Sequence, residues 1–224
     1  MVTVIFDMDG VLFDSENTLM ACWIETAARY GIAPERVRET YVRCIGTNRN
    51  QSTAIYREAF LAQLGEETTR RMWDESFALH AARYGDGQVP LKPGVRELLR
   101  FLKERAIPVG LASSSPCETI ERRLAATGLA AYFVGFVGGE AVRISKPDPE
   151  IYRLACRSFG FLPAQTFAIE DSHNGIRSAS AAGLRPIMVP DILPADGEMR
   201  ALAETVCADL FEVMAYLKQA AIST

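Results

Sequence analysis

Short apolar runs rich in β-branched residues alternate with helical patterns along most of this chain. The runs lie at residues 2–6, 108–112, 132–137, 166–169 and 185–189. Several of the helical patterns between them end at a glycine, the residue that most easily adopts the left-handed conformation of a helix C-cap. An alternation of this kind predicts an α/β fold with a doubly wound, Rossmann-like parallel sheet.

One long segment interrupts the alternation between the first two predicted strands. Residues 7–107 separate them, whereas a whole βαβ unit needs only on the order of 30 residues. Most of the surplus has helical patterns, at residues 19–30, 34–45, 50–64 and 66–84. We therefore predict a core of residues 1–15 and 87–224, with a helical cap domain of residues 16–86 inserted after the first strand.

The composition excludes several classes of protein. A net charge of −4 gives no electrostatic reason to expect a nucleic acid or an anionic membrane as partner. No apolar stretch approaches the roughly 20 residues of a membrane helix, and the N-terminus lacks the basic start of a signal peptide. The five cysteines are scattered, without a C-x-x-C pair. We expect a cytoplasmic protein, with a monomer as the default state.

A pair of carboxylates follows the first predicted strand directly. Asp7 and Asp9 are two residues apart, so strand geometry places both on the same side. Ligands of open α/β sheets bind at the carboxyl ends of the strands, which favours a functional site. Two such carboxylates repel each other unless a cation or a shared proton compensates. A solvated acidic turn is the alternative interpretation.

Polar residues also lie at or near the ends of three later strands or in the loops that follow them. Each group has an ordinary explanation as well: a helix N-cap, a solvated lysine or an acidic helix start. Together they would supply hydroxyls for a phosphate, a fixed cation and the hard oxygen ligands that Mg²⁺ prefers. All four strand ends would face one crevice. The later groups are Ser113 with Ser114, Lys146 before a proline, and Glu170 with Asp171.

The order Asp-x-Asp-Gly, Ser, Lys-Pro, Glu-Asp resembles the haloacid dehalogenase superfamily over nearly the whole chain. The segment Phe-Asp-Met-Asp-Gly-Val-Leu-Phe-Asp-Ser-Glu at residues 6–16 resembles the branch of sugar-phosphate phosphatases and β-phosphoglucomutases. This resemblance implies a phosphatase core with a mobile helical cap. It also implies that Asp7 is the nucleophile, which forms an aspartyl-phosphate, and that Asp9 is the general acid and base.

The resemblance further assigns the phosphate and metal ligands. Ser113, with Ser114 beside it, and Lys146 would hold the transferring phosphoryl group. Glu170 and Asp171 would complete a Mg²⁺ site with Asp7 and with the backbone carbonyl of Asp9. The expected substrate is a small phosphorylated metabolite, a sugar phosphate above all.

Two alternative functions remain open from the sequence. A β-phosphoglucomutase-type isomerase is one, because the segment Gly46, Thr47, Asn48 and Arg49 resembles the cap loop of those enzymes that contacts the sugar phosphate. However, Leu19 stands where their cap helix has a histidine, so hydrolysis is favoured. The other is a phosphate-accepting signalling module, against which the inserted helices argue. His80, among alanines on a cap helix, is interpreted as structural.

Overall fold

The computed structural model describes residues 2–45, 49–85 and 87–222, without the side chains of Arg49, Ala221 and Ile222. Its sheet has six strands, all parallel to their neighbours, in the order β3-β2-β1-β4-β5-β6. This topology confirms the predicted doubly wound α/β fold. The strands are β1 (Thr3–Phe6), β2 (Val109–Ala112), β3 (Gly135–Val137), β4 (Thr166–Glu170), β5 (Arg185–Met188) and β6 (Thr205–Val206).

Among the described residues, four helices follow β1 before the chain returns to the sheet. They pack around their own cluster of buried side chains, centred on Trp23. Its ring centroid lies 4.9 Å from that of Tyr41, 4.8 Å from that of Tyr56 and 5.1 Å from that of Trp73, within the range of favourable aromatic pairs. The helices are α1 (Ser15–Ala28), α2 (Pro34–Cys44), α3 (Arg49–Leu64) and α4 (Glu66–Tyr84).

The remaining helices cover the two faces of the sheet. Successive residues of β1 point to opposite faces: Val4 and Phe6 pack with α5, α6 and α10, whereas Ile5 packs with α7 and α8. No described helix has the length and apolar character that a membrane crossing requires. These helices are α5 (Val95–Glu104), α6 (Cys117–Thr127), α7 (Glu150–Phe159), α8 (His173–Ala181), α9 (Gly197–Leu202) and α10 (Leu210–Ile222).

Some boundaries differ from the prediction. The third strand begins at Gly135, because Ala130–Tyr132 form a short 3₁₀ turn. Helix α1 begins at Ser15, four residues before the first residue of the predicted pattern (residue 19). Strand β6 has only two residues, too few for a periodic pattern to predict.

The two chain segments that join the four helices to the sheet lie side by side. Phe13 and Leu91 form an antiparallel bridge. Next to it, the Nζ of Lys92 lies 3.3 Å from the Oδ1 of Asp14 and 2.7 Å from the Oδ1 of Asp191. These contacts fix where helices α1–α4 start and end relative to the carboxyl end of β1.

Core packing predicts a difference between two leucines. Leu99 on α5 is fully buried, whereas Leu61 on α3 is 36% exposed. Leu99→Ala should lower the free energy of unfolding by about 2–5 kcal/mol, because it leaves a cavity, and Leu61→Ala by less than about 1 kcal/mol. Urea denaturation measures both changes. Equal losses would contradict the packing described here.

Candidate active site

The loop after β1 brings two carboxylates to the centre of the sheet's carboxyl edge. Asp7 extends the strand, because its N–H donates to the carbonyl oxygen of Ile169 at 2.9 Å. Gly10 follows with a φ of +78°, and a Cβ at this position would overlap the carboxylate of Asp171. Only glycine therefore allows this loop to approach the end of β4 so closely.

A cavity of about 910 Å³ opens above this edge. It brings together most of the residues that the sequence singles out, from all four predicted strand ends. Glu170 is the exception, since its side chain is fully buried and does not line the cavity. The predicted residues that line it are Asp7, Asp9, Ser113, Ser114, Lys146 and Asp171.

Three carboxylates are crowded together at the base of the cavity. Oxygen atoms of Asp7, Glu170 and Asp171 lie within 4.8 Å of one another. Burial raises the pKa of Asp7, and the charges of Glu170 and Asp9 raise it further, against the opposing effect of Lys146. Burial also raises the pKa of Asp171, as do the charges of Asp7 and Glu170. Hard oxygen ligands in this arrangement fit a small divalent cation, whose charge would offset their repulsion.

Lys146 is fixed between two of these acids. Its Nζ donates to the Oδ1 of Asp7 and to the Oε1 of Glu170, both at 2.6 Å. The hydroxyl of Tyr152 donates to the same oxygen of Glu170 at 2.5 Å. Although burial alone would lower the pKa of Lys146, the charges of Asp7 and Glu170 raise it above the usual value. Lys146 is therefore a permanent cation, and the buried carboxylate of Glu170 anchors it.

A second glycine is needed beside the buried carboxyl group of Glu170, which anchors Lys146. A Cβ on Gly175, in the first turn of α8, would overlap the carboxyl group of Glu170. No local pattern around Gly175 indicates this close approach. Tyr152 was missed as well, because an isolated tyrosine on a helix carries no signal of its partner.

Asp9 has a different environment from Asp7. Its Oδ1 accepts hydrogen bonds from the hydroxyl of Ser15 at 2.6 Å and from the Nη1 of Arg123 at 2.5 Å. Its Oδ2 accepts from the hydroxyl of Ser115 at 2.7 Å. Burial alone would raise the pKa of Asp9, but the charge of Arg123 and these hydrogen bonds hold it below its usual range. Neighbouring carboxylates thus differ in pKa, as acids with distinct roles do.

Three further residues at this site were missed. Ser15 and Ser115 adjoin predicted motifs, so their hydroxyls could have been included. Arg123 follows Arg122 in the middle of a helix, and nothing in the sequence distinguishes it from an exposed arginine.

The helical side of the cavity has both apolar and polar groups. Leu19 lines it, as does Glu16, whose carboxylate accepts a hydrogen bond from Tyr41 at 2.8 Å. Burial raises the pKa of Glu16 to about 7. His80 lines the cavity too, and its Nε2 lies 3.2 Å from the Oγ1 of Thr18. The interpretation of His80 as a purely structural residue is therefore incomplete.

The predicted cap loop cannot be placed at the cavity. Gly46, Thr47 and Asn48 lie outside the described residues, and Arg49 begins α3 with its side chain outside the description. Their contact with a substrate stays a prediction.

Comparison with known proteins assigns the family. The family model of haloacid dehalogenase-like hydrolases matches residues 1–183. The chain belongs to this family. The phosphorylated carbohydrates phosphatase of Thermotoga maritima is 32% identical over 188 residues, which are 84% of each chain. Hexitol phosphatase B of Escherichia coli K12 is 30% identical, over 93% of this chain and 96% of that protein.

A solved structure is similar over the whole length. It is that of a Thermotoga maritima protein assigned as a β-phosphoglucomutase, which has 28% sequence identity and a TM-score of 0.79. The alignment covers 98% of this chain and 99% of that one. Together with the named phosphatases, the family match confirms the prediction of an enzyme of the phosphatase type. It leaves the signalling module without support.

The crowded acids predict how pH affects cation binding. Since Asp7 and Asp171 have pKa values above the ordinary 3.8, protons stabilise the metal-free fold at low pH, and this contribution is lost as pH rises through the raised pKa values. A cation competes with those protons. We therefore expect MgCl₂ to raise the melting temperature more at about pH 8 than at about pH 5.

Two variants make this measurement specific. Asp171→Asn should lose most of the Mg²⁺-dependent rise, and Asp74→Asn, at an exposed position on α4, should keep it. KCl at the same ionic strength controls for screening. A rise that is the same at both pH values would contradict a cation site among these carboxylates.

Proposed function

We propose that this protein is a Mg²⁺-dependent phosphatase that hydrolyses a small phosphorylated metabolite, such as a sugar phosphate, through an aspartyl-phosphate on Asp7. The observation that carries the proposal is the position of Asp7. Its carboxylate lies against a fixed cation, Lys146, and beside Asp171, in a cavity that Ser113 also lines. We further propose that residues 16–86 act as the cap over a core of residues 1–15 and 87–224.

The metal ligands in this proposal are Asp7, Asp171 and the backbone carbonyl of Asp9. The resemblance also assigns Glu170 to the metal, but its contacts with Lys146 and Tyr152 favour a role as the anchor of the lysine. When bound, Mg²⁺ would supply positive charge beside the phosphate. A carboxylate about 4 Å from a phosphate dianion meets repulsion on the order of 8 kcal/mol at an effective dielectric constant near 20.

The chain's own residues reduce the same repulsion and orient the phosphate. Lys146 contributes its charge next to the carboxylate of Asp7. Because Asp7 and Glu170 already hold its ammonium group in place, the lysine needs no reorganisation during the reaction. Ser113 is 1% exposed, and its hydroxyl accepts a hydrogen bond from the N–H of Ser115 at 3.0 Å. This bond orients the hydroxyl, whose proton is then free to be donated to a phosphoryl oxygen.

Asp9 would transfer the protons. It would first protonate the leaving alkoxide, and then take a proton from the water that attacks the aspartyl-phosphate. The pKa of Asp9 is low in the free protein, and the negative charge of a bound phosphate raises the pKa of a neighbouring carboxyl. Ser15 and Ser115 hold its two oxygens in place for both steps.

The substrate class rests on the cavity and on the relatives. A volume of about 910 Å³ lies within the usual range for a small-molecule site. The relatives named above are phosphatases of phosphorylated carbohydrates and hexitols. The polar groups of Glu16 and His80 could bind hydroxyls of such a substrate. A monomeric state and a cytoplasmic location stay predictions.

Removal of the nucleophile is the direct test. Asp7→Asn should lower kcat for phosphate release by roughly 10⁴-fold or more, while the free energy of unfolding stays equal or rises because one repelling charge is lost. A panel of phosphorylated sugars and polyols, with and without Mg²⁺, measures the release. Asp74→Asn is the matched control and should keep full activity. An active Asp7→Asn enzyme would refute the proposal.

Asp9→Asn should separate the two chemical steps. With an alkyl phosphate, kcat should fall by about 10²–10⁴-fold, because the leaving alkoxide is not protonated. With p-nitrophenyl phosphate the leaving group departs as a stable anion, so Asp7 should still be phosphorylated. Rapid mixing should then show a burst of one equivalent of p-nitrophenolate before slow turnover. No burst, with steady turnover like that of the unmodified enzyme, would exclude the role of Asp9.

A phosphosugar mutase is the second candidate, because of the structural similarity to the protein assigned as a β-phosphoglucomutase. Leu19 lines the cavity. Its side chain offers neither a proton nor a charge to a sugar bisphosphate that must reorient during a mutase reaction. Incubation with β-glucose 1-phosphate and a trace of its bisphosphate distinguishes the two. Free phosphate supports the hydrolase, and glucose 6-phosphate supports the mutase.

A further inference from the structure

Arg123 lies inside the cavity although it comes from the middle of a helix. Its side chain on α6 is 12% exposed and lines the cavity together with Asp7 and Lys146. The guanidinium carbon lies 5.5 Å from the ring centroid of Phe13. The planar fork of an arginine is pre-organised, so it loses less conformational freedom per hydrogen bond to a ligand than a lysine does.

Most of the hydrogen-bonding capacity of Arg123 is unused. A guanidinium has five N–H donors in a planar fork. In the described part of the chain, Asp9 is its single hydrogen-bond acceptor, through one nitrogen and one oxygen. Asp9 does not depend on this bond alone, because Ser15 and Ser115 also donate to it. The remaining donors of Arg123 are available to a molecule in the cavity.

The two cations Lys146 and Arg123 contact carboxylates with different roles in the proposed reaction. Lys146 contacts the nucleophile Asp7, whereas Arg123 contacts Asp9, the residue that protonates the leaving oxygen in the proposed function, on which this inference rests. A substrate group that reaches Arg123 therefore belongs to the alcohol part of the ester and lies close to the ester oxygen.

Charge indicates what that group is. The acidic side chains that line the cavity are Asp7, Asp9, Glu16 and Asp171, and they would repel a second anion placed near them. Of the cations that line it besides Arg123, Lys146 is held by Asp7 and Glu170, and Arg143 is exposed. The fork of a guanidinium matches two oxygens of one carboxylate or phosphate better than one hydroxyl. We propose that Arg123 determines specificity by binding a second oxyanion on the leaving alcohol, near the phosphate ester.

Three esters of one carbon skeleton test this inference. Glycerol 3-phosphate carries a neutral end, 3-phosphoglycerate a carboxylate and glycerol 1,3-bisphosphate a second phosphate. Each is assayed with the unmodified enzyme and with Arg123→Gln. Arg122→Gln is the matched control, because Arg122 is the neighbouring residue on α6, is 46% exposed and pairs with Glu118. p-Nitrophenyl phosphate reports whether each protein has the basic phosphatase activity.

We expect the unmodified enzyme to prefer an ester with a second anion, and the preferred one shows whether the anion is a carboxylate or a phosphate. Arg123→Gln should lower kcat/KM for that ester about 10- to 100-fold more than for glycerol 3-phosphate. Arg122→Gln should change neither value.

Other outcomes overturn the inference. Equal losses with charged and neutral esters would show that Arg123 only positions Asp9, and no loss would show that Arg123 does not contact the substrate. An enzyme that cleaves p-nitrophenyl phosphate but neither anionic ester would also refute the inference, and would leave the proposed function intact. If p-nitrophenyl phosphate itself is not cleaved, the proposed function fails, and the inference with it.

Discussion

The crowding of three carboxylates around one lysine is the constraint on which the site depends. Asp7, Glu170 and Asp171 are all less than a tenth exposed, and Lys146 supplies one positive charge among them. Such a cluster is costly in a folded protein unless its charges are paired. The excess of negative charge explains why a cation suits the site, and in the proposed function the buried lysine lets an anionic phosphate approach the anionic nucleophile.

The fold brings the cluster together at the carboxyl edge of the sheet. Parallel strands end at one edge of the sheet, so loops far apart in sequence supply the acids and the lysine. The closest approaches depend on glycines, Gly10 beside Asp171 and Gly175 beside Glu170. The hydroxyl of Tyr152 donates a hydrogen bond to Glu170, and in the proposed function Glu170 anchors the lysine while the other two acids bind the metal.

A second ion pair, between Asp9 and Arg123, lies beside the cluster of carboxylates. Asp9 has its own cation, Arg123, and two hydroxyl partners, so its pKa is low where that of Asp7 is high. The helices after β1 add Glu16, Leu19 and His80 to the cavity. In the proposed function, phosphate transfer takes place at the sheet edge, and helix α6 and the inserted helices select the alcohol.

The sequence by itself determined the parallel α/β class, the four inserted helices and the acids, serines and lysine at the strand ends. These are local patterns, since strand and helix periodicity and the residues just after a strand are read from consecutive positions. Only the tertiary structure decided which other side chains contact these site residues. Arg123, Tyr152 and His80 reach the site from positions within helices, where packing between distant segments, rather than any pattern of neighbours, sets the direction and burial of a side chain.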